Sequence, residues 1–163
     1  MLSETKAIGG VEVVARFDRA AIEASDVRCG DPAASAAMIA EIAAAKAARD
    51  TLGGIVALRV TGLVAGLGTF AEWDRRLDGR IAQALMSIQA AKGVQFGDAF
   101  AQARERGSAV HDPIVTRADG TFARTRNRAG GLEGGITNGS DVLLEVAFKP
   151  ISTLMNPLPS VDL

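Results

Sequence analysis

The chain has 163 residues, 48% of them hydrophobic, and a formal charge of −1. That is enough apolar material to bury one core, which excludes a disordered tail, and the near-neutral balance excludes a general nucleic-acid binder. Aromatic residues make up 4% and tyrosine is missing, so the expected core is Ala, Val, Leu and Ile.

In chain order, VEVVARF at residues 11–17 is predicted as a strand after the Gly9-Gly10 turn signal. A polar link follows to Cys29-Gly30. Asp31 is then a good N-cap and Pro32 a good first helical residue, so a helix is predicted over 32–49, with Ala34, Ala37, Met38, Glu41, Ile42 and Ala45 at helical spacing. Gly53-Gly54 closes that unit. IVALRV at 55–60 reads as a strand, and GLVAGLG at 62–68 as a glycine-punctuated turn. Leu77, Ile81, Ala84, Leu85 and Ile88 share one face of a second predicted helix. Val94-Gln95-Phe96 reads as a short strand, and Asp98 as the cap of a short helix through Arg104. Residues 107–129 are polar and irregular, with Asp119-Gly120 as a hairpin turn. A glycine-rich loop over 130–139 precedes the best strand, DVLLEVAF at 141–148, which Lys149-Pro150 stops. No repeat and no linker divides the chain, so a single domain over 1–163 is expected. The loose alternation of strands and helices favours α+β over a doubly wound parallel sheet.

Residue chemistry alone leaves the function open. AGGLEGGITNG fits neither G-x-G-x-x-G nor G-x-x-x-x-G-K-[ST]. It suits a tight loop, or a bare backbone approaching a flat or anionic ligand. Lys149, Ser152 and Thr153 at a strand exit suit either solvent exposure or an anion site. Arg117, Arg124, Arg126 and Arg128 suit a solvated loop or a basic lid over a multiply anionic small molecule. His111 and Cys29 are too few for a zinc or iron site, so no metal ligand is assigned. His111 reads as a surface loop residue and Cys29 as a small buried hydrophobe. The lone cysteine suggests a reducing compartment, MLSETKAIGG lacks the apolar stretch of a secretory signal, and no apolar run would span a bilayer. A cytoplasmic protein without membrane contact is therefore expected.

Four strings appear in order: TLGGIVALRVTGLVAGLG, WDRRLDGRIAQALMSIQAAKGVQFGDAF, NRAGGLEGGITNG and AFKPIST. In register, they resemble matching stretches of chorismate synthases, from about Val11 to Leu163, with a looser match over the first 50 residues. The resemblance implies part of a β-α-β sandwich, with helices between antiparallel sheets, assembled as a homotetramer. It implies a lyase converting 5-enolpyruvylshikimate 3-phosphate to chorismate by 1,4-anti elimination of phosphate, with reduced FMN as cofactor. NADPH is a candidate reductant, and the source of flavin reduction stays open between this protein and another enzyme.

Carried over by position, the FMN contacts are Gln89 and Ala90, Gly134, and Lys149, Pro150, Ile151, Ser152 and Thr153. No catalytic residue is carried over. The family's Gly-Asp-Ser-His-Gly motif, second histidine segment, Arg-Ser-Ser-Ala-Arg segment and Arg-Asp-Pro region have no counterpart here. The chain therefore reads as one incomplete domain, a central segment expected to be inactive in isolation and to expose apolar surface. The alternative is a non-catalytic scaffold, assembly or ligand-binding module derived from that fold. Ala99 stands where the family has glycine in Gly-Asp-Gly-Phe, and a positive φ there would cost alanine on the order of 1 kcal/mol.

Overall fold

A computed structural model describes residues 1–161 of the chain. These residues form nine strands: β1 (Leu2–Ile8), β2 (Val11–Glu12), β3 (Gly54–Val60), β4 (Ala91–Phe96), β5 (Ile114–Thr116), β6 (Phe122–Arg124), β7 (Leu132–Glu133), β8 (Ile136–Thr137) and β9 (Val142–Phe148). The helices are α1 (Arg19–Ala24), α2 (Pro32–Ala47), α3 (Leu77–Met86), α4 (Ala99–Gln102) and α5 (Gly107–Val110), with a 3-10 turn at Trp73–Arg75. A five-stranded sheet has the order β2-β1-β3-β9-β4, and β5-β6 and β7-β8 are separate antiparallel hairpins. The α+β expectation holds. The chain forms two compact units: Met1–Leu2, Leu58–Gln89 and Gly93–Val146 in the first, and Ser3–Ala57, Ala90–Lys92 and the residues from Ala147 onward in the second.

In the second unit, β1 and β2 pair antiparallel across the Gly9-Gly10 turn, with Ile8 opposite Val11 and Ala7 opposite Glu12. The predicted strand 11–17 is cut short. Val13 N still donates to Lys6 O at 3.0 Å, but Arg16 N and Phe17 N then turn to the Glu4 carboxylate at 2.9 and 2.7 Å. Phe17 takes φ 54°, which no ladder accommodates. Glu4 is fully buried and accepts a third backbone N–H, from Gly30 at 2.9 Å.

The link from Asp18 is also more ordered than its polarity suggests. Asp18 Oδ1 accepts from Ala20 N and Ala21 N at 3.0 and 3.3 Å, capping α1, whose Ile22 is fully buried. Asp31 caps α2 as expected, accepting from Ala34 N at 3.0 Å with Pro32 behind it. α2 buries Ala34, Ser35 and Met38; Ala37 and Ile42 of the predicted stripe stay exposed. Cys29, Ala34 and Met38 form the core of this unit, packed by Ile8, Val11, Val13 and Val27. Arg49, at φ 57°, ends α2 with Arg49 N on Lys46 O at 3.1 Å and Asp50 N on Ala45 O at 2.9 Å, a Schellman closure.

In the first unit, β9 alternates cleanly: Val142, Leu144 and Val146 are buried, and Leu143 and Glu145 are half-buried. Thr137 of β8 fixes the 62–68 turn. Its hydroxyl donates to Val64 O at 2.7 Å and accepts from Leu67 N at 2.9 Å, while its backbone pairs with Gly66 and Leu67. α3 keeps Leu77, Ile81 and Leu85 half-buried but ends before Ile88, which is 48% exposed. Large apolar side chains do reach solvent, Trp73 (86% exposed), Phe70 and Phe122 among them. Ala99 opens α4 and is not among the residues of positive φ, so the alanine carries no backbone penalty. Asp98 precedes α4 but makes no capping bond to it.

Candidate functional site

The loop over 130–139 contains the β7-β8 hairpin. Its two-residue turn is Gly134-Gly135, with φ of 62° and 88°, the pairing that tight hairpins require. Most of these glycines are consumed by the protein itself. A Cβ on Gly131 would overlap the Asp141 and Val142 backbone, and one on Gly135 would lie 2.8 Å from Thr69 O. Gly134 differs: nothing lies within 4 Å of where its Cβ would be. It is the position in this hairpin turn that presents bare backbone to open space.

β9 ends at Phe148, and the strap Lys149–Thr153 leaves it without regular structure. Lys149 N donates to Ala90 O at 2.9 Å, so the structure joins two of the predicted site residues inside the second unit. Ala90 takes φ 68° in the turn before β4, a conformation an alanine holds only under constraint. Farther along the strap, Ile151 O accepts from the Thr51 hydroxyl at 2.7 Å. Lys149, Pro150, Ile151, Ser152 and Thr153 are all exposed. Among the described residues, Lys149 makes no ion pair and the Ser152 and Thr153 hydroxyls make no hydrogen bond. An ammonium and two hydroxyls without partners among the described residues leave donors open to an anion. Gln89 and Gly134 belong to the first unit, Gln89 exposed in the turn after α3.

The arginine cluster does not form a free lid. Arg124 pairs with Glu133, and Arg126 donates to His111 O at 2.7 Å. Arg128 reaches Asp98, Glu105 and Ala109 O. Of the four, Arg117 alone has no ion pair among the described residues, and it lines a cleft of about 720 Å³ with Ile114, Phe122, Asn138 and Ser140. That cleft contains none of the eight predicted contacts; a groove of about 580 Å³ in the second unit contains Pro150 alone. Unengaged donors weigh more than concavity in choosing a site, because they are what a charged ligand satisfies. His111 is exposed and Cys29 buried, both as expected.

The sequence profile described as chorismate synthase matches residues 1–163, wider than the stretch from Val11 on which the resemblance rests. The chain belongs to the chorismate synthase family. It is 59% identical over 141 residues to the chorismate synthase of Symbiobacterium thermophilum, covering 86% of this chain and 36% of the relative. It is 55% identical to that of Thermus thermophilus, covering 86% and 37%. A solved crystal structure of chorismate synthase superposes with a TM-score of 0.84 at 38% identity, covering 91% of this chain and 48% of that one. The chain thus spans less than half the length of these relatives.

Within this chorismate synthase segment, the Asn127–Gly131 turn is held by residues that sequence reasoning passed over. The Asp112 carboxylate, with its side chain wholly buried, accepts Arg128 N and Ala129 N at 3.0 and 2.9 Å. Asn127 bridges Asp141 O and Gly131 N at 2.8 Å each. Asp112 stands alone in an irregular polar stretch, and no spacing signal marks it.

Burial raises the Asp98 carboxyl, but hydrogen bonds from Arg128 and Gln102 together outweigh it and hold it below its ordinary value. The Arg128 hydrogen bond lowers Glu105 likewise. Both groups therefore bind protons less readily folded than unfolded. Their contribution to stability is complete above about pH 4–5 and is lost as pH falls through the lowered folded values. The variant Arg128→Met should shift both carboxyl titrations upward, read by carbon NMR, and flatten the acid limb of stability. Unchanged titrations would show that Arg128 is not the cause.

Proposed function

We propose that this chain carries part of the flavin site of a chorismate synthase, a lyase that eliminates phosphate from 5-enolpyruvylshikimate 3-phosphate to give chorismate. The reading rests on family membership together with one observation: Lys149, Ser152 and Thr153 are exposed on a tethered strap with no ion pair or side-chain hydrogen bond to described residues. That donor set suits the phosphate end of FMN, and the open face of Gly134 suits a close backbone approach. Gln89, Ala90, Pro150 and Ile151 complete the proposed contacts. When bound, reduced FMN supplies electron density to the allylic system as phosphate departs, and NADPH is the proposed reductant. The residues here bind and orient the cofactor; no acid or base is assigned to them.

We read the chain as one incomplete domain of a homotetrameric, cytoplasmic enzyme. No helix among the described residues is long and apolar enough to cross a membrane.

FMN titration of the protein by flavin fluorescence tests the site. Lys149→Ala should weaken FMN about tenfold, roughly 1.4 kcal/mol, and leave riboflavin unaffected. Equal loss for both ligands, or none, would remove Lys149 from the phosphate site.

A further inference from the structure

Between the strap and the end of α2 lies a contact to which no role has been given. We infer that Thr51 is a positioning residue for the cofactor phosphate, acting through the Ile151–Ser152 peptide. This rests on the flavin reading above.

Thr51 is firmly placed. It follows the Schellman closure of α2, and its own N–H donates to Asp50 Oδ1 at 2.7 Å. Two residues on, Gly53 lies so close to the strap's entry that a Cβ there would meet Phe148 O at 2.5 Å and Pro150 Cδ at 3.0 Å. Downstream, Asn156 Nδ2 donates to Ala48 O at 3.3 Å. The C-terminal end of α2 is thus a platform against which the strap is tied.

Of those ties, the Thr51 hydroxyl on Ile151 O, at 2.7 Å across 100 residues, fixes the middle of the strap. The Ile151 side chain is 63% exposed and supplies little packing anchor of its own. A trans peptide is planar, with C=O and the following N–H pointing in opposite directions. By holding Ile151 O toward α2, Thr51 aims the Ser152 N–H away from it. That N–H donates to no described residue. It is a further donor beside the Lys149 ammonium and the Ser152 and Thr153 hydroxyls, aimed by a residue that need not touch the ligand.

FMN and riboflavin titrations of wild type, Thr51→Val and Thr51→Ser, with circular dichroism melts of each, separate the outcomes. Thr51→Val keeps the shape and removes the donor. It should weaken FMN about fivefold, with riboflavin binding and the melt unchanged. Thr51→Ser should restore FMN affinity to within about twofold of wild type. If wild type binds FMN and Thr51→Val binds it equally well, the positioning role is wrong while the flavin reading stands. Parallel loss of FMN and riboflavin affinity would make Thr51 merely structural, which also overturns the role. If wild type binds neither flavin, the flavin reading itself fails and takes this role with it.

Discussion

Gly97→Ala should cost about 3–5 kcal/mol of folding stability, combining left-handed backbone strain with overpacking. Gly97 has φ 59°, and its N–H donates to Leu143 O at 2.9 Å, tying the end of β4 to β9. A Cβ there would fall on Arg128 O and crowd Gly130 N, both backbone atoms that cannot swing away. Gly130 is equally confined, since its own Cβ would meet Gly97 and come within 2.6 Å of Leu143 O. Gly62→Ala is the control: φ is 76°, yet nothing lies within 4 Å, so only the strain of about 1–2 kcal/mol applies. Urea unfolding followed by circular dichroism compares the two. Equal losses would show that the crowding at Gly97 is relieved by movement and is not a fixed constraint.

Glu4→Ala should cost roughly 3 kcal/mol, the loss expected when several inward-facing N–H groups are stripped of one charged acceptor. The three donors, Arg16 N, Phe17 N and Gly30 N, come from segments 12 to 26 residues away, so Glu4 gathers the connection before α1 and the approach to α2 around β1. Glu4→Gln is the sharper comparison. It keeps one carbonyl acceptor but sets an amide NH₂ against a donor, so it should recover only part of the loss. Urea midpoints for both variants check this. A midpoint for Glu4→Ala within error of wild type would mean that water replaces the carboxylate at no cost.

Glu4 also explains where the sequence misled. LSETKAI places an acidic side chain on the inward face of β1, which defeats the usual alternation of apolar and polar residues. The more apolar VEVVARF drew the strand assignment instead, although its second half serves as donors to that same carboxylate. Local signals succeeded where the chemistry is local. Asp31-Pro32 opened α2, Asp119-Gly120 turned the β5-β6 hairpin, and the apolar run of 141–148 with its Lys149-Pro150 stop matched β9. α1 was not legible because its cap, Asp18, and its single buried anchor, Ile22, are too few for a periodic pattern.

The candidate site divides in the same way. The strap and the bare glycine were visible as motif residues, whereas the ties that hold the strap, Thr51 on Ile151 and Ala90 on Lys149, depend on residues brought together from far apart in the chain. The arginine run was open between a solvated loop and a ligand lid. Carboxylates brought in by the fold, Asp98, Glu105 and Glu133, already engage Arg124 and Arg128, which a reading of charge density alone does not show.

The position of Trp73 decides how unfolding of this protein can be watched. It is the chain's single tryptophan and stands 86% exposed in its 3-10 turn, with no tyrosine elsewhere to add a signal. Its indole is already surrounded by water in the native state, so melting the core barely changes its emission. The same placement makes that fluorophore a sensitive reporter of anything that comes to cover the turn.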